Sequence, residues 1–287
     1  MSETQLRPVP TVVIPVFNAF EELKCCLTSV SETVTSDTQV MVIDDVSTDS
    51  RILPLIEKFV NAGGPRWRLV HQMNNEGFVA TANLGMRLAP RDVVLLNSDT
   101  VVTPGWLERI GMCLNSDTNI ATATPWSNNS QITSIPEFCA ENPVPENITS
   151  IAVRIAERVL RDGGPQYPEI PTAVGFCMGI SRRAIDSVGY FDKEQFGKGY
   201  GEENDFCMRV RKQGFRNVLC DDTYVVHHGG SSFGPLGLRP DESSMARLLE
   251  RHPDYHQLVA DFIRSDPLAP IRDRLCSEIT SAGLAFK

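Results

Sequence analysis

No stretch of the sequence approaches the roughly 18 apolar residues that a membrane-crossing helix needs. The opening MSETQLRPVP has no basic segment leading into an apolar one. A chain neither secreted nor embedded in a membrane is therefore expected, located in the cytoplasm, with any membrane contact peripheral. Positive charge is scarce too: 27 Lys and Arg against 36 Asp and Glu leave a net charge of −9. Bulk charge of that sign does not gather polyanions, so nucleic acid is not expected as a partner. The eight cysteines form no C-x-x-C pair, and Cys25 and Cys26 are adjacent, where a mutual disulfide is geometrically awkward. Reduced thiols fit best. There is no G-x-x-x-x-G-K-[ST] motif, and Pro15-Val-Phe-Asn18 stands where G-x-G-x-x-G would follow a first strand. Phosphate-loop enzymes and standard dinucleotide oxidoreductases are thereby excluded. Internal repeats and low-complexity tracts are also absent.

What is present is an ordinary globular composition, 41% hydrophobic and 22% charged over 287 residues, enough for one large α/β domain or two small ones. The β-branched run at residues 11–14, closed by Pro15, reads as a buried strand. Asn18 with Glu21 three positions on reads as a helix cap, before an apolar stripe of Phe20, Leu23, Leu27 and Val30. Residues 40–43 and 67–70 repeat the strand pattern. Helical stripes follow them, through Ile52, Leu55, Ile56, Phe59 and Val60 and then through Leu84 and Leu88, and a fourth strand is expected at 93–96. This alternation predicts a parallel sheet with helices on both faces and a ligand site at the carboxyl ends of its strands. The proline-rich middle, 119–171, reads as long loops with one helix near 148–160. A strand at 172–180, a helix at 182–188, a flexible Gly197-Lys-Gly-Tyr-Gly201 turn, a helix at 203–213 and a strand at 217–226 are expected next. Residues 245–279 are helical in period, with breaks at Pro253, Pro267 and Pro270.

Carboxylates stand at these strand ends. Asp44 and Asp45 close the second strand and Asp99 closes the fourth, so all three converge on one rim. Each motif alone also suits an Asx turn with a helix cap, and only their joint placement favours a site. Gly201-Glu-Glu-Asn-Asp205 sets three carboxylates at a helix start, where the helix dipole also favours them. His227-His228 ends a strand, where imidazole can meet a divalent metal or a phosphate. The N-x-S/T triplets at Asn128 and Asn147 read as chance, and Trp67, Trp106 and Trp126 as core or loop anchors.

In order, the motifs are Thr11-Val-Val-Ile-Pro-Val-Phe-Asn18, Val42-Ile-Asp-Asp-Val-Ser-Thr-Asp49, Asn75-Glu-Gly-Phe78 with Asn83 and Gly85, and Leu96-Asn-Ser-Asp-Thr100. Gly201-Glu-Glu-Asn-Asp205 with Arg209 and Gly214, then His227 with Ser232-Phe233, complete the series. Together they resemble the motif series of the family 2 glycosyltransferases, nearest to bacterial rhamnosyltransferase-type members that build surface polysaccharide. The resemblance implies a nucleotide-diphospho-sugar transferase (GT-A) domain over 1–233, with 234–287 as a helical extension packed on it. It implies inverting transfer from a UDP- or dTDP-sugar to a hydroxyl of a glycan or lipid-linked glycan, with Mg²⁺ or Mn²⁺. By the same resemblance Pro15, Phe17, Asn18, Asp44, Asn75, Gly77, Asn83 and Ser98 meet the nucleotide, and Asp99 and His227 the metal. Glu203 is the expected base with Glu202 beside it, and Asp45, Asp205 and Arg209 support the site. Asn97 departs from the D-x-D pattern, offering an amide oxygen without charge and so a weaker hold on a hard cation. The alternative is a noncatalytic donor- or glycan-binding module of a larger synthase. Glu202, Glu203, Asp99 and His227 favour the enzyme, since a binding module has no use for a base.

Overall fold

The computed structural model describes residues 9–197, 199–229 and 242–286. β1 (Thr11–Val16) leads to α1 (Phe20–Thr33), β2 (Val40–Asp44) to α2 (Ile52–Gly63), and β3 (Trp67–His71) to α3 (Phe78–Leu88), before β4 (Val93–Leu96). These four strands pair in parallel in the order β3-β2-β1-β4. Main-chain groups of β1 alternate sides: Thr11 N donates to Asp92 O on the β4 side and Val12 N to Gln39 O on the β2 side. Pro15 therefore turns its missing N–H toward β4, whose pairing has already ended at Val13. That is why β1 runs one residue past a proline expected to end it.

After β4 come β5 (Thr100–Val101), α4 (Trp106–Ser116), β6 (Ile120–Trp126), α5 (Ile148–Arg161), β7 (Glu169–Ile170) and β8 (Cys177–Ile180). Then follow α6 (Arg182–Val188), α7 (Lys193–Phe196), α8 (Glu202–Lys212), β9 (Arg216–Tyr224) and β10 (Val226–His227). β8 enters between β4 and β6 antiparallel to both, and β7 lies antiparallel on β9 at the edge, so the sheet is mostly rather than wholly parallel. The main departure from expectation is β6. A fully buried seven-residue strand stands at the head of a segment expected to be loop, because its Thr and Pro residues mask a run that is apolar in place. The strand expected over 172–180 is shorter at its start, and the one expected over 217–226 divides into β9 and the first residue of β10.

Strand residues alternate between two cores. Val12, Ile14, Val40 and Val42 face Leu23, Leu27, Ile52, Ile56, Trp106 and Ile110 of α1, α2 and α4. Val13, Met41, Ile43 and Leu95 face Val79, Met86, Ile185, Phe206 and Val210 of α3, α6 and α8. Burial on both faces is what such a central sheet requires. α3 presses so close on β1 that a Cβ at Gly85 would lie 2.2 Å from Val13 Cγ1. The chain ends in α9 (Glu242–Arg251), α10 (Tyr255–Ser265) and α11 (Ala269–Ser281). Pro270 does not break a helix; it sits in the first turn of α11, where its missing N–H has no partner to lose. α11 packs with α5 on Trp126 and Tyr224, while Leu248 and Tyr255 close on Phe196 and Met208. Ser232, Phe233 and the boundary expected between 233 and 234 lie outside the described residues. Among those described, no helix is long and apolar enough to cross a membrane.

Candidate active site

A cavity of about 710 Å³ opens at the carboxyl ends of β1, β2 and β4. Pro15, Val16 and Phe17 form one wall, Asp45, Val46 and Thr48 the next, Asn75, Gly77 and Phe78 a third, and Asn97, Ser98 and Asp99 the floor. Asp45 ties this corner together: Oδ1 accepts from Gln72 Nε2 at 2.8 Å and Glu76 N at 2.7 Å, and Oδ2 from Gly77 N at 2.8 Å. Burial lifts its carboxyl above the ordinary value, against the pull of those two main-chain N–H groups.

Asp44, expected at the nucleotide, has no exposed surface and does not line the cavity. Its carboxylate receives His71 Nδ1 at 2.9 Å and Ser47 N at 3.2 Å. Asn18 does not cap α1. Its Oδ1 instead accepts from Thr48 N at 2.9 Å and Asp49 N at 3.0 Å, and so shapes the loop after β2. Asn83 is buried beneath the wall and clamps Phe191 through both main-chain groups, at 2.8 and 3.0 Å.

On the far side β5 and β10 pair antiparallel, His227 opposite Thr100, which brings His227 Nε2 to 3.6 Å from Asp99 Oδ1. His227 Nδ1 lies 2.7 Å from the Asn129 carbonyl. A carbonyl only accepts, so Nδ1 carries a hydrogen and Nε2 is the ring nitrogen that faces Asp99. Phe176 stacks on the ring with centroids 5.1 Å apart. Asp99 Oδ1 is buried with no hydrogen-bond partner. A bare carboxylate oxygen beside an imidazole nitrogen suits a hard cation whose remaining ligands come from a diphosphate. Among the described residues no cluster of three or more His, Cys, Asp or Glu could hold a metal by itself.

Opposite, Glu202 and Glu203 open α8 behind Gly201. Burial and the neighbouring Glu203 charge push the Glu202 carboxyl well above its ordinary 4.5, and Glu203 is raised by burial as well. The hydrogen bond between the two raises Glu202 and lowers Glu203, and main-chain N–H groups of Gly201 and Glu203 favour the Glu203 carboxylate. Both carboxyls are thus easier to protonate than a free glutamate, chiefly because they are buried. An oxygen of each, Oε2, is buried without a partner, and both residues line the cavity. One turn on, Asp205 Oδ2 receives Arg209 Nε at 2.8 Å, while Arg209 also grips the Val188 and Tyr190 carbonyls.

The fold thus brings Pro15, Phe17, Asn75, Gly77, Ser98, Asp99, His227, Glu202 and Glu203 to one cavity, and adds Asp45. It places Asp44, Asn18 and Asn83 behind the wall. Thr48, Val174, Phe176 and Tyr200 also line it. Sequence reasoning did not single them out as site residues, for they carry no distinctive spacing; only the position of Thr48 beside Asp44-Asp45 could have pointed to it.

The family model for glycosyl transferase family 2 matches residues 11–189. Among curated proteins, the uncharacterized glycosyltransferase YibD of Escherichia coli (strain K12) is 30% identical over 113 residues, 39% of this chain and 32% of that protein. The chain thus matches about a third of that relative's length. The crystal structure of GalNAc-T7 with UDP, GalNAc and Mn²⁺ covers 96% of this chain and 55% of its own, at 14% identity and TM-score 0.63. S. aureus TarS 1-349 in complex with UDP-GlcNAc covers 89% of this chain and 72% of its own, at 16% identity and TM-score 0.58. At these identities the likeness shows the fold, a GT-A arrangement.

Proposed function

The chain belongs to glycosyl transferase family 2, and from that premise we propose that it transfers a sugar, with inversion, from a UDP- or dTDP-sugar to a hydroxyl of a glycan or lipid-linked glycan. The observation that carries this reading is that two pairs line one cavity: Asp99 with His227, and Glu202 with Glu203. Three buried carboxylate oxygens there, one each on Asp99, Glu202 and Glu203, have no hydrogen-bond partner among the described residues. Unpaired buried oxygens are costly, and a bound substrate is the natural source of their missing partners.

Asp99 and His227 would hold Mg²⁺ or Mn²⁺, which when bound neutralises the charge developing on the departing diphosphate. Mn²⁺ and UDP in the GalNAc-T7 structure and UDP-GlcNAc in the TarS structure support that assignment. Pro15, Phe17, Asp45, Thr48, Asn75 and Gly77 would receive the nucleoside. Glu203, with Glu202 beside it, would take the hydrogen of the acceptor hydroxyl as its oxygen attacks the anomeric carbon from the face opposite the diphosphate. No covalent intermediate is needed. A role in bacterial surface polysaccharide and a rhamnosyl donor rest on the motif resemblance alone, as does 1–233 as the transferase domain.

Incubation with a panel of sugar nucleotides and Mn²⁺ or Mg²⁺ tests the proposal by nucleotide release. One donor should be consumed in the presence of acceptor. If UDP or dTDP binds and no donor in the panel is consumed, the noncatalytic module replaces the enzyme.

A further inference from the structure

We propose that Asn128 is a positioning residue that holds His227 in ligating register, an inference resting on Asp99 and His227 as the cation-facing pair. Asn128 follows β6 and is 2% exposed. Its carboxamide meets both main-chain groups of His227: His227 N donates to Oδ1 at 3.0 Å, and Nδ2 donates to His227 O at 3.1 Å. A primary amide has the donor and acceptor spacing of a peptide edge. Among the described residues β10 pairs with β5 alone, and the Asn128 amide occupies its other edge as a neighbouring strand would.

The amide is itself held. Nδ2 gives its other hydrogen to Asn142 O at 3.0 Å, and Asn142 Nδ2 returns a bond to Asn128 O at 3.0 Å. Exchanging O and N of the amide would set its one oxygen against two carbonyls and its nitrogen against an N–H, so its orientation is fixed by its partners. The next residue, Asn129, supplies the carbonyl that takes the Nδ1 hydrogen of His227. One loop therefore sets both the position of the His227 backbone and the tautomer of its ring, the support on which a ligating histidine depends. The chain leaving His227 passes hard against this loop: a Cβ at Gly229, whose φ is 73°, would lie 2.4 Å from Asn129 Nδ2.

The test is Mn²⁺ binding to the full chain with UDP present, followed by electron paramagnetic resonance, alongside UDP binding in chelator. Asn128→Asp keeps the volume but turns an oxygen toward the His227 and Asn142 carbonyls; Asn128→Ala removes both bonds. Each should weaken Mn²⁺ by about 10–100-fold and leave metal-free UDP affinity unchanged. Asn128→Ala combined with His227→Ala should bind Mn²⁺ no more weakly than His227→Ala alone, because both act through one ligand. If His227→Ala loses Mn²⁺ while both folded Asn128 variants keep it, Asn128 is a loop anchor only. If the double variant shows the full sum of the losses, or metal-free UDP affinity falls in parallel, the effect does not pass through His227 and the proposal is overturned. If His227→Ala leaves Mn²⁺ affinity unchanged, the cation-facing pair itself is wrong and the inference falls with it. Asn128→Asp decides the matter should Asn128→Ala fail to fold.

Discussion

Asp205 Oδ1 lies 2.9 Å from His252 Nε2, and both side chains are buried. Lys212 Nζ donates to the other ring nitrogen at 2.9 Å, so the ring hydrogen points at the carboxylate. Arg251 Nη1 reaches the same oxygen at 3.3 Å and Asp192 at 2.7 Å. The end of α9 and the residue after it thus fasten the C-terminal helices to α8, whose first turn carries Glu202 and Glu203.

His252→Ala should therefore cost about 1.5–3 kcal/mol of stability, the usual worth of a hydrogen bond to a charged group, measured by urea unfolding. Asp205→Asn should cost a similar amount, and the double variant much less than the sum, since one contact is lost twice. His252→Gln, which can still donate, should lose less than His252→Ala. An alanine variant as stable as the parent would show that the C-terminal helices are not held through this pair.

Glu203→Gln keeps shape but cannot accept a proton, so transfer should fall by about 10²–10⁴ with donor affinity nearly unchanged. Glu202→Gln still donates to Glu203 and should lose far less. The reverse ranking would move the base to Glu202, and full activity in both, with intact folding, would place it elsewhere.

The same dyad fixes the sign of a stability change with pH. Both carboxyls are raised in the folded state, so below the ordinary 4.5 both folded and unfolded chains hold their protons and the dyad contributes nothing to the difference. As pH rises through the raised values the folded chain must give up a proton it holds more tightly than the unfolded chain does, and stability falls. Glu202→Gln should hence melt higher than the parent at pH 8, with the gap closing by pH 4. Asp221, pushed up to about 6 by burial, loses stability in the same direction between 3.8 and about 6, but equally in both proteins, so only the difference is read. A gap independent of pH would show that Glu202 holds no extra proton in the folded state.

Asp99→Asn should abolish the part of UDP affinity that Mn²⁺ adds over chelator and leave the remainder, as measured by calorimetry. Loss of binding in chelator as well would mean that Asp99 serves the nucleotide directly.

Asp44→Asn and Asp45→Asn separate wall from support. Among the described residues the Asp44 carboxylate bonds His71 and its own turn alone, so its variant should lower Tm and affect UDP affinity little. Asp45 faces the cavity and holds Glu76 and Gly77, so its variant should weaken UDP even in chelator. The opposite pattern would return the nucleotide contact to Asp44.

β1, β2 and β4 were legible because burial on both faces leaves them as apolar, mostly β-branched runs of ordinary length, as at Val12–Ile14 and Val40–Ile43, while β3, half-exposed at the sheet edge, was placed by the strand–helix alternation. β6 was not: its sequence IATATPW is packed on both sides by the fold, but Thr122 and Thr124 read as polar until Thr122 is seen to bond Asn217 at 2.8 Å. The convergence of Asp99 with the Glu pair followed from strand ends and motif order. Which of two adjacent aspartates faces the cavity did not, since neighbours on an extended chain point oppositely and one residue of register exchanges Asp44 for Asp45. The asparagines were least visible. Asn18, Asn83 and Asn128 each serve the main chain of a distant segment, and nothing in their local sequence records the partner.

The insertion of β8 between β4 and β6 sets the order in which this molecule can become complete. β1 to β4 pair with one another within the first hundred residues and carry Asp45 and Asp99 at their carboxyl ends, with β4 as an open sheet edge. β8 closes that edge only after β6, α5 and β7 exist, and the β5–β10 ribbon, which sets His227 beside Asp99, needs the chain through β9. Such distant pairings bear the loop-closure entropy that slows folding. Competence therefore arrives late: a piece that reaches through α8 already carries Asp99 and the Glu pair, but any piece ending before β10 lacks the histidine that belongs beside Asp99.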